Sequence, residues 1–304
     1  MTPELAGLRA DKVVARLAGV SRASARRLIE EGQVEVEGVA VDPRQRLKLE
    51  ALVEIEISPG VPVLEAEQVP FSVLFEDEEV AVVDKPAGVV AHPGAGRHSG
   101  TLAAGLLHRW PEVEGVGEEH RWGLVHRLDR DTSGVLLVAR TSQAHRSLQR
   151  DLAARRVERH YLALVHGELA APTGTIDAPI GRDPDRPTRR AVVRGGRRAR
   201  THYQARVAWR ALSLLLIKLE SGRTHQVRVH LSSIGHPLVG DRTYGSPGPP
   251  GADPGRTWLH AARLSFRHPS RGEWVEVRAP LPADLRASLE ALGEPAWGSV
   301  PSEI

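Results

Sequence analysis

Residues 123–140 read GLVHRLDRDTSGVLLVAR. One carboxylate, Asp129, stands among His126, Arg127 and Arg130, and a Thr132-Ser133-Gly134 turn follows. The apolar run Val135–Ala139 then reads as a short buried strand. Nearby positive charge favours the ionised form of a carboxylate, and an ionised carboxylate held against a buried strand can act as a nucleophile or a base. Asp131 could form a carboxylate pair with Asp129, as in glycosidases, but an Asp just before Thr-Ser-Gly suits a turn residue better. Alone, the segment also suits an acid paired with surface arginines beside a turn. The rest of the chain decides between these readings.

Outward from this segment the chain is strand-rich. Val80–Val83, Tyr161–Val165, His202–Trp209, Leu212–Leu219, Val227–His230 and Trp274–Val277 join Val135–Ala139 as strand candidates. Helical pattern is confined mainly to Leu102–Arg109 and Gln143–Leu152. Strands dominate and do not alternate regularly with helices. The fold class is therefore α+β, with a mostly antiparallel, mixed β-sheet flanked by helices and loops. Pro59, Pro62 and Pro70 mark a linker. The expected organisation is a small module over 6–58, a linker over 59–70, a catalytic domain over 71–290 and a tail over 291–304.

Composition narrows the chemistry. The 304 residues hold no cysteine, so disulfides, thiolate catalysis and Cys-based zinc or iron–sulfur sites are excluded. Residues 1–11 carry Glu4 and Asp11 and no apolar core, which does not read as a secretory signal. The longest aliphatic stretch, near Leu212–Leu219, is too short to span a bilayer. A cytoplasmic protein with no membrane partner is expected, and a monomer is the default. The net charge is only +3, but residues 186–210 hold nine arginines and no acid. Residues 9–27 hold Arg9, Lys12, Arg16, Arg22, Arg26 and Arg27 against Asp11 alone. Two basic blocks on a nearly neutral chain point to a polyanion partner.

The module over 6–58 pairs two short helices, about 10–18 and 22–31, the second with Ser21 as a possible cap and Gly32 as its stop. A hairpin pattern follows, with Val34 and Val36, a Glu37-Gly38 turn, then Val39 and Val41. Val53, Ile55 and Ile57 alternate with Glu54 and Glu56 as a further strand. Arg22, Arg26 and Arg27 fall on the exposed part of the second helix, near its positive end. The module resembles an S4 domain, an RNA-binding fold.

Four segments, the Asp129 segment among them, bear on chemistry: FEDEEVAVVDKPAGVVAHPG (75–94), HRLDRDTSG (126–134), RHYLALVHG (159–167) and GRTHQVRVHL with GHPLVGD (222–241). In this order they are similar to the RluA/RluD-type RNA pseudouridine synthase family, and with the S4-like module they resemble its RluD branch. The resemblance implies that Asp129 is the catalytic aspartate. Arg127 would enter the gap left by a flipped nucleotide. Tyr161 would stack on the base and take the proton from C5. Arg228 would pair with Asp129, and Leu231 would wall the base pocket. His126, Arg223, His225 and Gln226 would join Arg22, Arg26 and Arg27 in holding RNA. At position 160 this chain has His where the family usually has Lys or Arg.

The chemistry suits these residue types. Pseudouridylation breaks a C–N glycosidic bond and rejoins the base through C5, with no net oxidation, so no cofactor and no metal are expected. A carboxylate can stabilise developing charge at the sugar, trap it covalently or remove the 2′-proton, and the residues leave these open. His225, His230 and His236 do not match a zinc spacing. The expected substrate is RNA, foremost large-subunit (23S) ribosomal RNA. Transfer RNA, or a non-catalytic role in RNA binding or ribosome assembly, are the alternatives.

Overall fold

The computed structural model describes residues 5–19, 22–30, 32–55, 64–94, 99–118 and 121–300, the side chains of 23, 24 and 27 aside. The expected cap Ser21, the helix end at Glu31, the strand residues Glu56 and Ile57 and the Arg27 side chain lie outside the described residues. The chain divides into two compact units, Met1–Val63 and Leu64–Ile304.

In the first unit, α1 (Ala10–Leu17) buries Ala10, Val13 and Val14, and α2 (Arg22–Glu30) buries Ala25 and Ile29. The i, i+3 and i+4 spacing puts each set on one helix face. Gly32 ends α2 in the left-handed region, φ 75°, and the Gln33 N–H reaches back to the Leu28 carbonyl at 2.9 Å. Strands β1 (Val34–Val36) and β2 (Val39–Ala40) are joined by Glu37-Gly38 at φ 55° and 73°. Two positive φ values in a row define the tight hairpin turn that matches strand twist. Strand β3 (Val53–Ile55) pairs antiparallel with the other edge of β1.

The second unit is built on a ten-stranded sheet. Antiparallel β4 (Ser72–Glu76) and β5 (Val80–Lys85) form one edge; α3 (Leu102–Arg109) follows, then β6 (Ser133–Ala139), α4 (Ser142–Ala153) and β7 (Glu158–His166). Next come β8 (Thr173–Asp177) and the separate two-stranded ribbon of β9 (Ile180–Arg182) and β10 (Arg190–Val192). The long pair β11 (Arg200–Trp209) and β12 (Leu212–Leu219) leads to α5 (Gln226–Ser233). The chain closes with β13 (Leu259–Arg267), β14 (Trp274–Arg278), α6 (Ala283–Glu290) and β15 (Trp297–Gly298). The main path runs β15-β11-β12-β7-β13-β6-β5-β4, with β14 on β13 and β8 on β11. Among the described residues the β13–β6 contact is parallel and every other ladder is antiparallel.

Both faces of this sheet are covered, which explains its unbroken apolar runs. On β7, Tyr161, Ala163 and Val165 join the larger core on one face. Leu162 and Leu164 join Trp258, Leu285 and Leu289 on the other, beneath α6. That is the period of two expected of a strand. Gly134 is required where β6 meets β13: its φ is 113°, and a Cβ there would lie 2.1 Å from the Ala261 carbonyl oxygen.

One element differs from its sequence reading. Val227–His230 is not a strand but lies within α5. The alternating Val227, Val229 and Leu231 suggest a period of two, yet all three are buried because the helix is enclosed on most sides, with Gln226 and His230 buried as well. Tertiary burial overrides the β-propensity of valine. Strand β13 lacks a clean alternation in sequence, because Arg263 interrupts its apolar run.

Candidate active site

The Asp129 turn precedes β6, and the Thr132 N–H closes it on the Asp129 carbonyl at 3.1 Å. Two clamps hold its backbone. On one side the Arg130 carbonyl accepts from the Gly88 N–H at 2.9 Å and from Lys85 Nζ at 3.1 Å. Lys85 also donates to the Pro86 and Val89 carbonyls at 2.8 and 2.9 Å, so all three of its protons are engaged. Burial pulls the Lys85 pKa down to about 7, against the opposing charges of Asp129 and Asp131. On the other side Arg256 donates to the Asp131 carbonyl at 2.9 Å and to Ser133 Oγ at 3.2 Å, while its Nε holds Asp284 at 2.6 Å. The Asp131 side chain faces the Arg130 guanidinium at 2.9 and 3.2 Å, away from the cleft.

Helix α5 supplies the partner for Asp129. Its Arg228 lies 99 residues on in sequence and donates from Nη1 to Asp129 Oδ2 at 3.4 Å. The rest of the guanidinium forks onto Asp241, Nε to Oδ2 at 2.7 Å and Nη2 to Oδ1 at 2.8 Å. Such a two-bond fork is the strong geometry of arginine with a carboxylate. Asp241 Oδ1 also accepts the Thr243 and Tyr244 N–H groups at 2.9 and 3.1 Å. Burial alone would raise the Asp241 pKa, but Arg228 and these N–H groups hold it below the usual carboxylate range. Arg228 stays protonated despite burial, because Asp241 and Asp129 raise its pKa. The exposures of the three side chains run 19% for Asp129, 11% for Arg228 and 0% for Asp241. Only Asp129 of the two acids is open to a ligand.

Around this pair lies a cleft lined by Arg127, Leu128, Thr132, Arg159, Tyr161, Leu219, Arg223, His225, Val227 and Leu259 among others. Asp129 is the one carboxylate among these lining residues. Tyr161 comes from β7 between its partners Ile217 and Ala261, and burial raises its phenol pKa. Arg127 stands exposed at the rim and donates to His92 Nε2 at 3.0 Å. The His92 proton must then sit on Nδ1, which lies 2.7 Å from the Pro93 carbonyl. A slot with one acid, apolar walls and four arginines suits a flat, neutral ring attached to a polyanion.

Other residues singled out in the sequence sit differently. His126 is behind the wall: its Nε2 accepts the Leu137 N–H at 3.2 Å, and burial, with Arg159 nearby, lowers its pKa to about 3. Leu231 is fully buried in the core and is not among the cleft's lining residues, whereas Val227, one turn earlier on the same face of α5, is. Gln226 lines the cleft, but its four hydrogen-bond positions are filled by Ser221, the Arg223 N–H, the Arg200 carbonyl and Thr201. Arg223 also holds the Arg198 carbonyl at 3.1 Å. His230 binds Thr201 and the Ala178 carbonyl, and His236 binds the His166 carbonyl. Among the described residues no group of three or more His, Asp or Glu side chains could hold a metal ion. Burial lowers the pKa of His160 to about 4, so this position carries no charge at neutral pH.

In the first unit Arg22 pairs with Asp11 at 3.1 Å, and Arg26 pairs with Glu30 at 2.7 Å. Both arginines remain exposed. Sequence reasoning did not place Asp241, Lys85, His92 or Tyr244 in the site. The GHPLVGD, DKPAG and AHPG segments carry the first three, so the signal lay in those segments rather than in any residue type.

Residues 79–233 match the RNA pseudouridylate synthase family, and residues 8–53 match the S4 domain. The chain belongs to the RNA pseudouridylate synthase family and carries an S4 domain at its start. It is 45% identical over 299 residues to the ribosomal large subunit pseudouridine synthase D of Nitrosomonas europaea, covering 95% of this chain and 85% of that one. An RNA pseudouridine synthase of Bacillus subtilis, YlyB, is 40% identical over 279 residues, covering 90% and 89%. Among solved structures, human RNA pseudouridylate synthase domain containing 1 is similar with a TM-score of 0.59 and 30% identity, over 81% of this chain and 94% of that one. Among the described residues no helix is long and apolar enough to cross a membrane.

Proposed function

We propose that this chain isomerises specific uridines of large-subunit ribosomal RNA to pseudouridine in the cytoplasm, with Asp129 as the catalytic carboxylate. The observation that carries the reading is the Asp129–Arg228 pair at 3.4 Å, at the floor of a cleft that Tyr161 also lines. The relatives named for the large ribosomal subunit support that RNA as the substrate class.

The target uridine leaves its stack, at a cost of a few kcal/mol, and Arg127 fills the gap with its planar guanidinium. Arg228 sets its guanidinium against the Asp129 carboxylate beneath the sugar, where positive charge develops as the C1′–N1 bond breaks. The base turns against Tyr161 and the apolar wall, and C1′ bonds to C5. The C5 proton leaves toward Tyr161, and N1 gains a proton, so nothing is added or lost overall. Arg22, Arg26 and the arginine-rich 186–210 segment hold RNA phosphates.

The test is release of tritium from RNA labelled at uridine C5, using total RNA from cells that lack this protein. Asp129→Asn should abolish release while RNA binding stays within about a few-fold of wild type. Normal turnover by that variant would overturn the assignment.

A further inference from the structure

Two side chains beside Asp129 form a hydrogen-bonded line that the reaction above does not use. The Tyr244 hydroxyl accepts the backbone N–H of Arg190 on β10 at 2.9 Å. The same hydroxyl lies 2.9 Å from His225 Nδ1. Among the described residues Nδ1 is the one further hydrogen-bond partner of this hydroxyl, and the phenolic proton donated there satisfies both groups. The imidazole proton then sits on Nε2, which lies 3.9 Å from Asp129 Oδ2. Arg228 addresses the same Oδ2. Both groups therefore approach one oxygen and leave Oδ1 for the substrate.

His225 is held in the left-handed region, φ 58°. Such a conformation in a residue other than glycine persists where its surroundings over-determine it, and it clusters at functional sites. Tyr244 supplies those surroundings. Its ring packs edge-on against the imidazole at 5.6 Å and under the Arg228 guanidinium at 5.1 Å. Burial also keeps His225 neutral, against the pull of Asp129.

The geometry points to Tyr244 and His225 as positioning residues: Tyr244 fixes the His225 tautomer, and the Nε2–H of His225 turns the Asp129 carboxylate so that Oδ1 faces the sugar. The inference rests on Asp129 being the catalytic carboxylate. The 3.9 Å gap closes to a hydrogen bond as the substrate seats, since such contacts are often long in empty sites.

Nitrogen-15 NMR of the full-length wild-type protein, with His225 assigned through His225→Gln, reads the tautomer without any turnover. The expected form is protonated on Nε2 with Nδ1 accepting a hydrogen bond; an Nδ1-protonated ring overturns the inference. Single-turnover tritium release from the total RNA described above reads the consequence. Tyr244→Phe keeps the ring and removes only the hydroxyl. It should slow the step at saturating RNA on the order of 10- to 100-fold with the dissociation constant nearly unchanged, the size expected of a misplaced reacting group. His225→Gln, which restores an N–H near the Nε2 position, should recover part of what His225→Ala loses. The pair Tyr244→Phe and His225→Ala together should be no slower than His225→Ala alone, because the two act on one line. A Tyr244→Phe enzyme at the wild-type rate, or two losses that multiply, overturns the inference. Asp129→Asn assayed alongside separates the cases: if that variant turns over normally, the parent reading has failed; if it is dead while Tyr244→Phe is normal, only the positioning role has.

Discussion

Arg228 is bound by Asp241 through two of its nitrogens, at 2.7 and 2.8 Å, and this fork leaves Nη1 aimed at Asp129. The buried acid is thus a tool for aiming the arginine, not a second reactive carboxylate. Removing it strands a largely buried guanidinium. Asp241→Ala should cost about 3–5 kcal/mol of stability, the usual penalty for breaking a buried pair from one side. Denaturation in urea measures this, and turnover should fall with it because Arg228 is no longer held. A variant as stable as wild type would show that the fork is dispensable.

Lys85 should matter to activity through the backbone. Lys85→Met leaves the Pro86, Val89 and Arg130 carbonyls without the donor that joins them. The expected cost is about 2–4 kcal/mol. The stability that remains should still allow a rate measurement. Single-turnover release should drop more than RNA affinity does, since the Asp129 turn loosens while the surface arginines stay in place. Equal losses in rate and affinity would contradict this.

Acid should destabilise the second unit before its carboxylates titrate. Burial holds His126 at about 3 and His160 and His260 at about 4, all below the ordinary histidine value of 6.5. These groups are neutral when folded and take up protons when unfolded. Their contribution is therefore fully present above pH 6.5 and is lost as the pH falls toward 4 and then 3. Each adds a slope of up to about 1.4 kcal/mol per pH unit in that window. Unfolding free energies at a series of pH values from neutral to weakly acid measure the slope, and His126→Gln should flatten it. A pH-independent stability across that range would contradict the burial of these rings.

Arg26 should contribute to binding and not to chemistry. Its ion pair with Glu30 is exposed on both sides and so is worth little. A phosphate can displace Glu30 easily. Arg26→Ala should weaken RNA binding and lower the slope of log affinity against log salt by about 0.7–0.9, the release expected for one phosphate contact. The rate at saturating RNA should stay the same. A lower rate with unchanged salt dependence would count against this role.

The local features of this protein were readable from its sequence, and the long-range ones were not. The tight Glu37-Gly38 turn, the Gly32 helix stop, the buried β6 run and the Asp129 turn each depend on neighbours a few residues away. The α+β class followed from how strands outnumber helices. The α5 segment was misread because Val227, Val229 and Leu231 fit a strand until the helix's enclosure on several sides is known. The Asp129–Arg228 contact spans 99 residues, and the resemblance of the motifs suggested it where spacing could not. Asp241, Lys85 and Tyr244 had no role assigned from sequence because their importance lies in partners brought together by the sheet. Leu231 reads as a pocket residue, and on the same face of α5 Val227, one turn earlier, is the one that reaches the cleft.

Both clamps on the Asp129 turn grip the main chain, through the carbonyls of Arg130 and Asp131, and leave those two side chains outside. The acid's location is therefore insulated from the size and shape of the side chains at 130 and 131, with the Asp131 charge acting only through its help in keeping Lys85 protonated. Such an arrangement lets the rim beside the reacting centre be rewritten to suit a different RNA contour while the centre itself keeps its shape. Diversification of target and preservation of chemistry can proceed on adjacent residues.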